Sequence, residues 1–227
     1  MSNKLLTLCS FVVLASAVGH ASSITFFTPT GATTSGGAVS DSATVVTGAG
    51  TVTITLTNLL ANPTDVAQLI SDFDFVLSNG ATTGTLTSSS GQAITINADQ
   101  SSTLGSTGST GWGLNNNVGG GLQLDALGFV GPAGLIIGPG PYTNANGSIA
   151  GNGPHNPFLN QTATFNLAVL GVTTSTSVTG ATFSFGTTPG INVVGVPRGV
   201  TPEPSSLVLL GTGIIGAAGM LRRSVVS

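Results

Sequence analysis

Between residues 51 and 57 threonine alternates without interruption with an aliphatic residue: Thr51, Thr53, Thr55 and Thr57 against Val52, Ile54 and Leu56. A period of two puts each kind on one face of an extended strand, so this segment buries its aliphatic side only as β-structure. The same alternation recurs in Phe73, Phe75 and Leu77, and shorter runs occur at 93–96, 122–124, 165–172 and 182–185. β-branched and aromatic residues dominate these runs, as a pleated surface favours. Turn signals separate them at Asn79-Gly80, Ser90-Gly91, Gly171 and Pro189-Gly190. One short candidate helix lies in 59–71, with Pro63 and Asp65 near its start. No internal repeat of fixed period stands out, which disfavours a solenoid. The expectation is an all-β chain, an antiparallel β-sandwich of jelly-roll or Greek-key type occupying 22–200.

Charge decides what such a sheet can meet. Only 5% of the 227 residues are charged, four Lys and Arg against seven Asp and Glu, while 40% are hydrophobic. Disordered chains combine low hydrophobicity with high net charge, so general disorder is excluded. A long coiled coil needs abundant Ala, Glu, Lys, Leu and Arg, and glycine here lacks the three-residue period of collagen. A formal charge of −3 argues against nucleic acid, whose phosphates are held by Lys and Arg. With 34 Gly, 33 Thr and 25 Ser, the chain has hydroxyls to show to water, and such a surface suits hydrated polysaccharide.

The two ends read as addresses. Residues 1–21 hold one cation, Lys4, an apolar stretch over 5–18, and Gly19-His20-Ala21, with small residues at −3 and −1 of a cleavage site after Ala21. That is the pattern of a secretory signal peptide, and it makes the Sec translocon a partner. The single cysteine, Cys9, lies inside this segment, so the exported protein holds no disulfide, thiolate metal site or cysteine nucleophile. At the other end Pro202-Glu203-Pro204 is followed by the uncharged run 207–221 and then by Arg222-Arg223. A helix over that run rises about 22 Å, thin against a hydrocarbon core of ~30 Å. Arg222 and Arg223 would act as its cytoplasmic membrane stop. The expectation is an N-terminal signal helix, a C-terminal transmembrane helix over 207–221 and an inner-membrane-anchored precursor. The mature form is expected at the cell surface or in the extracellular matrix.

The triplet, the short Gly-rich apolar run and the basic stop, in that order over 201–223, resemble the PEP-CTERM sorting signal of biofilm-forming bacteria. The resemblance implies recognition by an exosortase, a transpeptidase-like membrane enzyme that cleaves near the triplet. Pro202, Glu203 and Pro204 would be the recognition element. One departure is visible: the family usually stops at the arginines, whereas this chain continues with Ser224-Val225-Val226-Ser227. The Phe183-Ser184-Phe185-Gly186-Thr187-Thr188 ending of the passenger also resembles passengers that accompany this signal. The function expected is that of a non-enzymatic protein of the cell envelope or matrix, associated with exopolysaccharide or biofilm. The alternative is a carbohydrate-binding or adhesin module.

The passenger offers few groups for chemistry. Residues 111–157 are dense in Gly, Asn and Pro and read as a long loop region interrupted by a strand near 122–130. Trp112 and Tyr142 within it are the candidate rings for stacking on sugar faces, against a role in covering the core. His155 is the one histidine left after export, and no Gly-x-Ser-x-Gly elbow accompanies it. Zinc lacks ligands. Asp72 and Asp74, two residues apart on one strand face, are the candidate calcium ligands, against a solvated acidic face. No cofactor is expected. The 51–57 ladder reads either as an ice-matching face, since the tail resembles that of some proteins labelled ice-binding, or as the wet face of an ordinary strand.

Overall fold

The computed structural model describes residues 22–198. Of these, 51% lie in strands, and no helix reaches seven residues. In chain order the strands are β1 (Ser22–Phe27), β2 (Thr33–Thr34), β3 (Gly37–Ala38), β4 (Asp41–Gly48) and β5 (Thr51–Asn58). Next come β6 (Ile70–Leu77), β7 (Thr85–Ile96), β8 (Ser102–Gly108), β9 (Gly113–Val118) and β10 (Gly121–Asp125). The last are β11 (Ile136–Ile137), β12 (Phe158–Ala168), β13 (Val178–Phe185), β14 (Asn192–Val194) and β15 (Val196–Arg198).

Two arms are evident in the pairing. One runs β8–β7–β12–β5–β4–β1–β15, and the other β9–β10–β6–β13–β14. The expected sandwich of separate antiparallel sheets is corrected here, because β11 hydrogen-bonds to both arms. Ile136 pairs antiparallel with Ile70 of β6, while Ile136 and Ile137 run parallel to Leu159 and Asn160 of β12. The result is one branched sheet of 13 strands, not closed into a barrel, with β2 and β3 as a separate hairpin.

The period-two segments fold as their chemistry demands. In β5 Val52, Ile54 and Leu56 are fully buried and the threonines between them are half-buried or exposed; β4 alternates in the same way. A single apolar cluster joins both arms, with Phe26, Ile54 and Phe165 from one and Phe73, Phe75 and Phe183 from the other. The rings of Phe73 and Phe183 lie 5.2 Å apart, and those of Trp112 and Phe165 5.1 Å. Each such side chain contributes roughly 1.5–3 kcal/mol by leaving water.

Two local expectations change. The candidate helix in 59–71 is one 3₁₀ turn, Val66–Gln68, capped by Asp65, whose carboxylate accepts from the Ala67 amide at 2.8 Å. The stretch 111–157 is not one long loop: β9 and β10 form a hairpin across Gly119-Gly120, whose φ of 55° and 80° are those of a tight turn between right-twisted strands. The strand expected near 122–130 is β10, shorter than that span, with Leu122 and Leu124 paired to Phe75 and Phe73 of β6.

No helix among the described residues is long and apolar enough to cross a membrane. The expected signal helix, transmembrane helix and inner-membrane-anchored precursor therefore have no counterpart in the described fold. Segments 1–21 and 201–223, with Ala21, Pro202, Glu203, Pro204, Arg222 and Arg223, lie outside the described residues.

Candidate functional site

The outward face of the first arm is built by the threonine parity of β5 and by the registers that align its neighbours. Thr25, Thr44, Thr55, Thr164 and Ser90 stand opposite one another on five consecutive strands, β1, β4, β5, β12 and β7. Ser42, Thr57 and Thr162 form a second row, and Thr53, Asn166 and Ser88 a third. The groups hydrogen-bond along the rows: Thr25 to Thr44 at 3.0 Å, Thr57 to Thr162 at 3.2 Å, and Asn166 to Ser88 at 3.0 Å. Neighbouring strands lie about 4.8 Å apart and same-face residues about 7 Å apart, so the hydroxyls form a lattice on that scale. Charge is nearly absent from it. Arg198, at the β15 edge opposite Thr25, is the only Lys or Arg in 22–198, and its guanidinium lies 4.6 Å from the centre of the Phe27 ring.

A groove of about 470 Å³ opens between the start of β8 and the turn 139–143. Its floor is the part of β12 where the register against β7 shifts, between Leu159 and Ala163. Asn160 and Gln161 occupy that bulge and line the groove with Gln100. The sequence gives no sign of this cluster, because isolated carboxamides on strands and turns carry no pattern.

The candidate rings are placed otherwise than expected. Trp112 and Tyr142 are each 4% exposed, so neither presents a face for stacking on a sugar. The Trp112 indole donates to the Gly134 carbonyl at 2.7 Å, and the Tyr142 hydroxyl donates to Gly138 at 3.0 Å. Burial pushes the Tyr142 phenol up to about 12. Both rings serve the core, because their polar tips find backbone partners inside it. His155 is tied by Nδ1 to the Ser148 carbonyl at 2.6 Å, as a turn residue.

Asp72 and Asp74 project from β6 beside β10, where Asp125 is the register partner of Asp72 and Gln123 that of Asp74. The Asn115 amide donates to both Asp125, at 2.8 Å, and Gln123, at 3.0 Å. Burial, and then the hydrogen bond and charge of Asp125, push the Asp72 carboxyl up to about 7; burial also raises Asp74. Among the described residues no group of three or more His, Cys, Asp or Glu side chains is placed to hold a metal ion. A further acid, Asp41, is 1% exposed, and both its carboxyl oxygens lack a hydrogen-bond partner among the described residues. Its parity with Ala43 and Val45 was the available signal.

Residues 200–223 match the PEP-CTERM protein-sorting motif family. No curated protein and no solved structure matches the chain. The motif makes this a sorted, exported protein of the cell envelope and an exosortase substrate.

Proposed function

We propose that the protein is a non-enzymatic component of the bacterial envelope or extracellular matrix, whose passenger lies against neutral exopolysaccharide after sorting. It enters through the Sec translocon and is cleaved after Ala21; an exosortase then reads Pro202, Glu203 and Pro204. The observation that carries the proposal is the uncharged hydroxyl lattice on the first arm, in register across five strands. Hydroxyls at that spacing exchange hydrogen bonds with water and with sugar hydroxyls on equal terms, and without charge they neither attract nor repel ionic polymers. Nucleic acid is no partner, because one arginine in 22–198 supplies almost no phosphate contact.

Mass spectrometry of the protein purified from its own cells tests the route. The expected result is a chain starting at Ser22 and ending near 202–204, with any added mass reporting glycosylation. Replacing Pro202, Glu203 and Pro204 together by alanine should leave the precursor mass. A processed mass in that variant would overturn the sorting role of the triplet.

A further inference from the structure

The groove between β8 and the turn 139–143 brings carboxamides and apolar side chains together at one opening. Gln100, Ser102, Leu104, Pro141, Asn160 and Gln161 are among the residues that line it. Four residues other than glycine have positive φ among the described residues, and two of them are Gln100 at 67° and Gln161 at 59°. At Gln100 the β7–β8 hairpin turn itself sets this conformation, the Gln100 amide donating to the Asn97 carbonyl at 2.9 Å; at Gln161, within the β12 bulge, glutamine has no local side-chain bond to offset it, as Asn and Asp do, so that position carries backbone strain. Strain of this kind persists where the surrounding structure holds a side chain in a required direction, and bulges commonly re-aim side chains at binding sites.

Each of the three carboxamides keeps an acceptor oxygen outside the hydrogen bonds of the described residues. The Gln161 carboxamide has no hydrogen-bond partner among the described residues. Gln100 donates through Nε2 to the Ala145 carbonyl at 3.2 Å, and Asn160 through Nδ2 to Gln92 at 3.2 Å, which leaves both carbonyl oxygens available. A carboxamide presents a donor and an acceptor side by side. That pair matches two adjacent hydroxyls, each of which donates and accepts. The walls are apolar: Leu104 is 57% exposed, an unfavourable placement for leucine alone, and Pro141 is exposed across from it. A pyranose has this character, with a hydroxyl rim and C–H faces. The carboxylate adjoining the groove, Asp99, is held by the Ser101 amide and hydroxyl, and its negative charge disfavours acidic sugars.

From this geometry we propose that the groove is a binding site for a neutral polysaccharide segment, with Gln100, Asn160 and Gln161 hydrogen-bonding its hydroxyls and Leu104 and Pro141 packing on its C–H faces. The volume lies within the range of small-ligand sites. Its open side admits the interior of a chain as well as an end. The proposal rests on the polysaccharide reading above and adds to the hydroxyl lattice a second place, the groove, where one segment of the polymer is held.

Gln161→Gly and Gln100→Gly test it, because glycine adopts positive φ without strain and removes only the carboxamide. The purified exported protein is run in affinity gels containing dextran, a β-1,3-glucan or a galactomannan, all neutral, with a polyuronate as the anionic comparator. Wild type should be retarded by at least one neutral polymer and not by the polyuronate. Each variant should bind about 10-fold more weakly, as for the loss of one or two hydrogen bonds, with unfolding midpoints equal to or above wild type. Retardation of both variants equal to wild type would overturn the groove and leave the polysaccharide reading standing. No retardation of wild type by any neutral polymer would remove that reading as well. Tighter binding to the polyuronate would refute the neutral class.

Discussion

Asp41 opens β4 on the inward parity, with Ala43, Val45 and Thr47 following it into the core. Its backbone is satisfied, since its amide donates to Thr28 Oγ1 at 2.9 Å and its carbonyl accepts from the Thr28 amide at 3.1 Å. The carboxyl is not. Its register partner Asn58 is committed elsewhere, donating to the carbonyls of Gln68 at 2.9 Å and Ile136 at 3.1 Å and accepting from the Leu60 amide at 3.0 Å. Burial therefore raises the Asp41 carboxyl well above its ordinary value of 3.8. In the unfolded chain the proton leaves near that ordinary value, whereas the folded protein keeps it. Between the two, the folded state binds more protons, so stability is full in acid and falls as pH rises. One proton corresponds to a loss of about 1.4 kcal/mol per pH unit, until the folded carboxyl itself ionises. Asp72 and Asp74 act in the same direction, so wild type alone would not isolate Asp41. Asp41→Asn removes this titration while keeping the volume. Urea unfolding can be followed by the fluorescence of the only tryptophan, Trp112, which is buried. Measured from pH 4 to 8, the stability of the variant relative to wild type should climb by up to about 1.4 kcal/mol per unit. Parallel curves, with a difference independent of pH, would refute the reasoning, because they would mean that Asp41 is ionised in the folded protein.

Other expectations follow from close packing and from the second acid cluster. Gly138→Ala would drive a methyl into the Leu60 carbonyl oxygen and to within 2.7 Å of Asn58 Oδ1, inside the junction through which β11 joins the arms. A loss of about 3 kcal/mol and a Tm lower by about 10 °C are expected by differential scanning calorimetry. Asp72→Asn should flatten the part of the pH dependence lying between about 4 and 7, since Asp72 titrates near 7 when folded. An unchanged profile would show that Asp72 is already ionised in the folded protein across that range.

Legibility along the chain followed how local the physics was. The ladder of 51–57 announced β5 and its buried face, because the period of two is a property of the strand itself. β8 was not visible: all seven residues of Ser-Thr-Leu-Gly-Ser-Thr-Gly are exposed, and the strand pairs with β7 alone. For Trp112 and Tyr142 residue order left stacking on sugars and covering the core both open; the Gly134 and Gly138 carbonyls that accept from their polar tips inside the core decide for the second.

Residue order alone determined that the chain is all-β in type, poor in charge and rich in hydroxyls, and it wrote the sorting triplet at 202–204 in contiguous letters. These are properties of neighbours along the chain, and an enzyme that reads a short segment needs nothing more. Tertiary structure decided that Thr25, Thr44, Thr55, Thr164 and Ser90 share one row, that Gln100 and Gln161 line one groove, and that the Asp41 carboxyl has no partner among the described residues. Each of those depends on strand register and on which face of one arm closes over the other. Many distant contacts fix register and closure together, and no local segment carries that information.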